Sequence, residues 1–126
     1  MTANGESVLL IEDDADVRDV VSQMLIDLGY AVTACDSGEE AMTQLNSGRA
    51  CDVIVTDVMM PGTSGLELST LVRRWRPRTP VILITGKPDG VERAVDEGLI
   101  PLLKPFSREQ LRGVMTEALR ASGNSR

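Results

Sequence analysis

Hydrophobic positions along this chain follow two alternating rhythms. Short uninterrupted runs (Val8-Leu9-Leu10-Ile11, Ala31-Val32-Thr33-Ala34, Val53-Ile54-Val55, Val81-Ile82-Leu83-Ile84 and Pro101-Leu102-Leu103) are each followed by a longer stretch with helical spacing. Runs without polar alternation predict parallel strands covered on both faces. In the first long stretch Val17, Val20, Val21, Met24, Leu25 and Leu28 fall on one helical face, and Gly29 stands where a helix closes in left-handed backbone. In the last stretch Leu111, Val114, Met115, Ala118 and Leu119 share a face.

Helix starts are marked by side chains. Ser37, Ser64, Asp89 and Ser107 each stand three residues before Glu40, Glu67, Glu92 and Gln110, the spacing of a reciprocal N-terminal cap. Strict alternation predicts an α/β fold, a (βα)5 doubly wound parallel five-stranded sheet with right-handed crossovers and the flavodoxin-like strand order 2-1-3-4-5. One domain is expected over residues 1–126, with an ordered core of about 7–121 and a frayed tail after Ser122.

Charge narrows the partners. With 13 basic and 19 acidic residues the net charge is −6, which argues against a nucleic-acid partner. The one basic cluster, Arg73, Arg74, Arg76 and Arg78, suits the end of a helix and reads as a solvated face. No apolar run approaches the roughly 18 residues of a membrane span, and Met1 to Ser7 carry no basic-then-apolar leader, so no membrane partner and a cytoplasmic location are expected. Cys35 and Cys51 are isolated and read as free, buried thiols. With no histidine, the chain has neither imidazole catalysis nor a phosphohistidine of its own.

In the expected strand order the C-terminal ends of strands 1, 3, 4 and 5 line one crevice. They bring Glu12-Asp13-Asp14, Asp57, Thr85 and Lys104. Each has a bland reading: Asp14 starts helix 1, Asp57 caps a loop, Thr85 makes a turn before Gly86, and Lys104 is a solvated loop residue. All four holding at four strand ends together is the less economical account. Packed carboxylates facing one ammonium call for a hard cation, and Mg²⁺ suits Glu12, Asp13, Asp57 and the backbone carbonyl of Met59. A carboxylate with a metal, a lysine and a hydroxyl around it describes a phosphoryl acceptor: Asp57 the nucleophile, Lys104 and Thr85 the groups that meet the transferred oxygens, Gly86 the room for the donor. A flavodoxin-like FMN electron carrier would share the fold. Glu12-Asp13-Asp14 would repel the FMN phosphate, however, and one Trp, one Tyr and one Phe leave little to stack on the flavin.

With Pro61 and Gly65 at fixed offsets from Asp57, and Pro105-Phe106 after Lys104, the set resembles the signature of response-regulator receiver domains over about Val8 to Ser122. The resemblance implies that Asp57 takes a phosphoryl group from a phosphohistidine on a histidine kinase or histidine phosphotransfer protein. It implies Glu12, Asp13, Asp57 and the Met59 carbonyl as Mg²⁺ ligands, Thr85 as the switch hydroxyl, Lys104 as the lysine that reports phosphorylation, and a cis peptide before Pro105. Such a domain assists its own phosphorylation and dephosphorylation without being an enzyme in the metabolic sense. Two departures stand out. Pro101 occupies the place of a Tyr or Phe that many receivers rotate inward, so no aromatic rotor is expected. Only 18 residues separate Thr85 from Lys104, fewer than the family usually has, so helix 4 is expected to be short. A stand-alone receiver acting through protein contacts, without a DNA-binding effector, is the first reading, and a module of a hybrid sensor histidine kinase the second. A receiver used purely for binding is disfavoured by the complete acidic, threonine and lysine set. The downstream protein is left unnamed, formation of a homodimer is left open, and Trp75 reads as helix packing.

Overall fold

The computed structural model describes residues 5–48, 50–57 and 65–121. Five strands alternate with five helices: β1 (Ser7–Ile11), α1 (Ala15–Asp27), β2 (Ala31–Cys35), α2 (Gly38–Asn46), β3 (Val53–Asp57), α3 (Gly65–Trp75), β4 (Val81–Thr85), α4 (Pro88–Asp96), β5 (Ile100–Leu103) and α5 (Arg108–Ala121). All pairings are parallel and the order is β2-β1-β3-β4-β5, the expected doubly wound topology. Three strands run past the ends of their expected runs, ending on Cys35, Asp57 and Thr85. The ladder is made by backbone groups, so a polar side chain at its last rung does not stop it.

Alternation of side chains divides the sheet into two packed faces. Val8, Leu10, Val53, Val55, Ile82, Ile84 and Leu102 pack with Val21 and Leu25 of α1 and Leu111, Met115, Ala118 and Leu119 of α5. Leu9, Ile11, Ile54, Val81 and Leu83 pack on the other side with Ala41 and Leu45 of α2, Leu68 and Val72 of α3, and Ala94 of α4. Each fully buried aliphatic side chain contributes about 1.5–3 kcal/mol of transfer free energy. Only the three central strands are covered on both faces; β2, at the edge, leaves Ala31 and Ala34 exposed. Edge position also accommodates Pro101 in β5, where a missing N–H costs least.

The caps bear out two of the four marked starts, Ser37 and Ser107. Ser107 Oγ accepts from Gln110 N at 3.1 Å while Gln110 Oε1 accepts from Ser107 N at 2.7 Å, a complete reciprocal cap. Ser37 Oγ accepts from Glu40 N at 3.1 Å, and Glu40 reaches one residue further back, to Asp36 N at 2.9 Å. Gly29 closes α1 at φ 101°. Asp89 is a correction: α4 starts at Pro88 with Lys87 as its cap residue, and Asp89 lies inside the first turn. Proline's fixed φ suits the first helical position and moved the start two residues earlier, the cap falling on Lys87 instead of Asp89. The helix is short, nine residues, as the spacing predicts. Val20 is a second correction, 60% exposed rather than packed. The apolar stripe is wider than the face α1 can bury, and Val20 lies at its rim. Cys35 is buried and Cys51 half-buried, and neither is in a disulfide. Ser64, Met59, Pro61, the side chain of Trp75 and the tail after 121 lie outside the described residues.

Candidate functional site

Side-chain parity decides what meets at the C-terminal edge of the sheet. Glu12 continues Val8 and Leu10, Asp57 continues Val53 and Val55, and Lys104 continues Leu102, so all three project on the α1/α5 side. Leu10 pairs with Val55 and Ile11 with Thr56, which makes Glu12 and Asp57 the next rung. Thr85 continues Val81 and Leu83 and faces the α4 side. The structure therefore gathers Glu12, Asp57 and Lys104 and turns the Thr85 hydroxyl elsewhere. Thr85 Oγ1 accepts from Lys87 N at 3.2 Å and donates to Lys87 O at 3.3 Å.

Glu12 and Asp57 are buried acids, 3% and 6% exposed. Lys104 Nζ donates to Asp57 Oδ2 at 2.8 Å, an ion pair at the mouth of the crevice. Burial works against the Lys104 ammonium, but the hydrogen bond and charge of Asp57, with the charges of Glu12 and Asp14, outweigh it and hold its pKa above the ordinary value. Glu12 is pushed up to about 7, first by burial and then by the hydrogen bond and charge of Asp57 and the hydrogen bond of Asp13; the Asp14 N–H, 3.2 Å from Glu12 Oε2, pulls the other way. Asp14 caps α1, accepting from Asp16 N at 2.9 Å and Val17 N at 3.1 Å, as its bland reading had it.

A residue that pattern reading missed fixes this loop from the far side. Arg18 Nη1 donates to the Glu12 carbonyl at 2.9 Å, so the first turns of α1 hold the end of β1 in place. No motif marks Arg18; its place one turn inside α1 is the sole sequence clue. The Lys104–Pro105 peptide is cis. A Cβ on Gly86 would meet nothing, so the space beside Thr85 on that side is open.

Among the described residues no three acids or thiols form a ready-made metal cage. The donor chemistry nonetheless fits Mg²⁺, which uses one or two carboxylates with waters rather than an all-protein shell. Glu12, raised to about 7 by burial first and by Asp57 and Asp13 after it, is a carboxyl whose charged form a bound cation would favour. The Met59 carbonyl lies outside the described residues.

The raised Glu12 pKa has a signed consequence. The folded chain holds this proton more tightly than the unfolded one, so stability is greatest below about 4.5 and declines as pH rises to about 7. Solvent at the crevice mouth limits the loss to roughly 1–2 kcal/mol. Urea unfolding across that window in magnesium-free buffer should show the decline in the parent and a flatter profile in Glu12→Gln. Parallel profiles would refute it.

A parallel (βα)5 sheet with an acidic pair, an aspartate and a lysine at its C-terminal edge defines the receiver class of signalling domains. The chain belongs to that family: residues 8–116 match the response regulator receiver domain. Among its relatives is the phosphoglycerate transport system transcriptional regulatory protein PgtA of Salmonella typhimurium, 38% identical with 90% of this chain and 28% of the relative covered. The Vibrio cholerae chemotaxis protein CheY4 superposes with a TM-score of 0.82 at 32% identity, covering 91% of this chain and 99% of that one. The Thermotoga maritima response regulator TrrA, solved in complex with Mg²⁺-BeF, gives 0.82 at 25% identity, covering 90% and 99%. The chain spans between 22% and 55% of the length of the curated relatives it matches. Among the described residues no helix is long and apolar enough to cross a membrane.

Proposed function

We propose that Asp57 is the phosphoacceptor of a two-component or phosphorelay pathway. The observation that carries this reading is the buried Asp57 carboxylate at the end of β3, set beside Glu12, which follows β1, and bonded at 2.8 Å to Lys104, which follows β5. An Asp57 oxygen attacks the phosphorus of a donor phosphohistidine, forming an O–P bond as the P–N bond breaks and its electron pair returns to the leaving imidazole. Lys104 stays beside Asp57 and meets the charge that arrives on the phosphoryl oxygens. Glu12, Asp13, Asp57 and the Met59 carbonyl would hold Mg²⁺, which supplies further neutralisation of those oxygens. Thr85 leaves Lys87 to donate to one of them, and the signal passes on through protein contacts. The chain modifies only itself and is not an enzyme in the metabolic sense.

The donor is a histidine kinase or histidine phosphotransfer protein, and a surface beside the site supports its approach. Val17, Val20, Val21 and Met24 of α1 form an apolar groove with Pro105 and Phe106, and Lys104 lies at its edge. A protein seated there brings an imidazole to Asp57, whereas a small donor needs no such seat. Val20→Asp should therefore slow transfer from a phosphorylated histidine phosphotransfer protein by about tenfold and leave the rate from a small acyl phosphate within about twofold. Equal slowing with both donors would count against the groove.

The reading itself is tested by intact mass after incubation with Mg²⁺ and a small acyl phosphate. The chain should gain one phosphoryl group, lose it to hydroxylamine, and gain none when the metal is chelated.

A further inference from the structure

Thr85 rests where a side chain on α4 would otherwise be. It is 1% exposed, and both of its hydroxyl bonds go to Lys87, the cap residue of that helix. Lys87 makes no side-chain cap, and its own N–H is taken by Thr85 Oγ1. One turn on, Gly90 N donates to Lys87 O at 3.0 Å, which folds the start of α4 down over the threonine. A Cβ built on Gly90 would lie 2.9 Å from Thr85 Cβ, 3.2 Å from Cγ2, and closer still to Oγ1. No real side chain tolerates that, and the atoms it meets belong to a short β-branched residue at a strand end, which has little freedom to yield. Gly90 has no positive φ to explain it, and glycine inside a helix otherwise weakens it.

We propose that Gly90 is a positioning residue for the switch: its missing side chain provides the seat in which Thr85 waits, bonded to α4, and so sets the resting bias that phosphorylation must overcome. The inference rests on Asp57 as the phosphoacceptor and deepens that reading. A methyl group at position 90 disfavours the state with Thr85 on Lys87 more than one in which the hydroxyl has moved to the acceptor site: its closest contact, with Oγ1, is lost on that move, whereas the approach to Thr85 Cβ is common to both states and does not discriminate between them. A substitution that penalises one of two states shifts the population to the other, and affinity for whatever selects that other state rises in proportion.

The probe is beryllofluoride with Mg²⁺, titrated calorimetrically into the folded parent, Gly90→Ala, Thr85→Ala and the double variant. Gly90→Ala should bind about fivefold or more tighter than the parent. In the Thr85→Ala background, where the closest contact is gone, the same change should alter affinity by less than about twofold. Equal or weaker binding by Gly90→Ala, or a gain that persists without the Thr85 hydroxyl, overturns the proposal. A parent that binds no beryllofluoride overturns the phosphoacceptor reading instead. A measurement on the parent alone guards against a variant that does not fold. The Lys87 amide, bonded to Thr85 at rest, should exchange its hydrogen about tenfold faster once beryllofluoride is bound, and unchanged exchange overturns the proposal as well.

Discussion

Asp57→Asn is expected to abolish phosphoryl gain from small and protein donors alike, a drop of at least about 10³-fold, because the amide oxygen is no nucleophile toward phosphorus. The same change should be felt at Glu12. Two of the influences that raise its pKa, the hydrogen bond and the charge of Asp57, are removed or weakened, while burial, the largest, remains. Glu12 should therefore titrate below about 7 in the variant and still above its ordinary 4.5. Carboxyl carbon resonances followed against pH provide the measurement. An unmoved Glu12 titration would mean that the two carboxyls are not coupled as their places opposite each other on one rung require.

Lys104→Met has the second largest effect. It leaves Asp57, 6% exposed, without the ammonium that lies 2.8 Å away. Removing one partner of a fully buried pair costs about 3–5 kcal/mol, and the partial exposure of Lys104 reduces this to roughly 1–3 kcal/mol. Chemical denaturation of the variant beside the parent would show it. Phosphoryl transfer should also slow by about 10²-fold, the usual loss when one preorganised charge is withdrawn from a developing oxyanion. Lys104→Arg separates the two losses. Its charge restores stability, but a planar fork cannot occupy the place of a compact ammonium, so transfer stays slow. Full recovery of transfer in that variant would argue for charge alone.

The fold was legible because its signals are redundant. Apolar runs, helical stripes and caps such as Ser107–Gln110 all point to one alternation, and the parallel order follows from it. Where a single local signal stood alone it could mislead. The spacing Asp89–Glu92 looks like a cap, but Pro88 is better suited to open the helix and took the start from it. Val20 fits the stripe of α1, yet a stripe gives the width of an apolar face and not how much of it the sheet covers. The site was legible as far as strand ends and parity carry it, which is why Glu12, Asp57 and Lys104 come together. The resting place of Thr85 was not. It depends on the absent side chain of Gly90 and on the N–H of Lys87, features that register in a sequence only as an ordinary glycine and lysine. Arg18 escaped for the same reason, since a guanidinium that holds the Glu12 carbonyl has no motif.

Asp57 as the accepting atom's owner is tested most directly by locating the modified residue. Chain phosphorylated with Mg²⁺ and a small acyl phosphate is reduced with borohydride, which converts an aspartyl phosphate to homoserine, and the peptides are sequenced by mass. Homoserine at position 57 and at no other acid is the predicted result. Homoserine at Asp13, the one-carbon-longer 2-amino-5-hydroxypentanoate at Glu12, or a phosphoryl group on a hydroxyl that resists hydroxylamine would contradict the account.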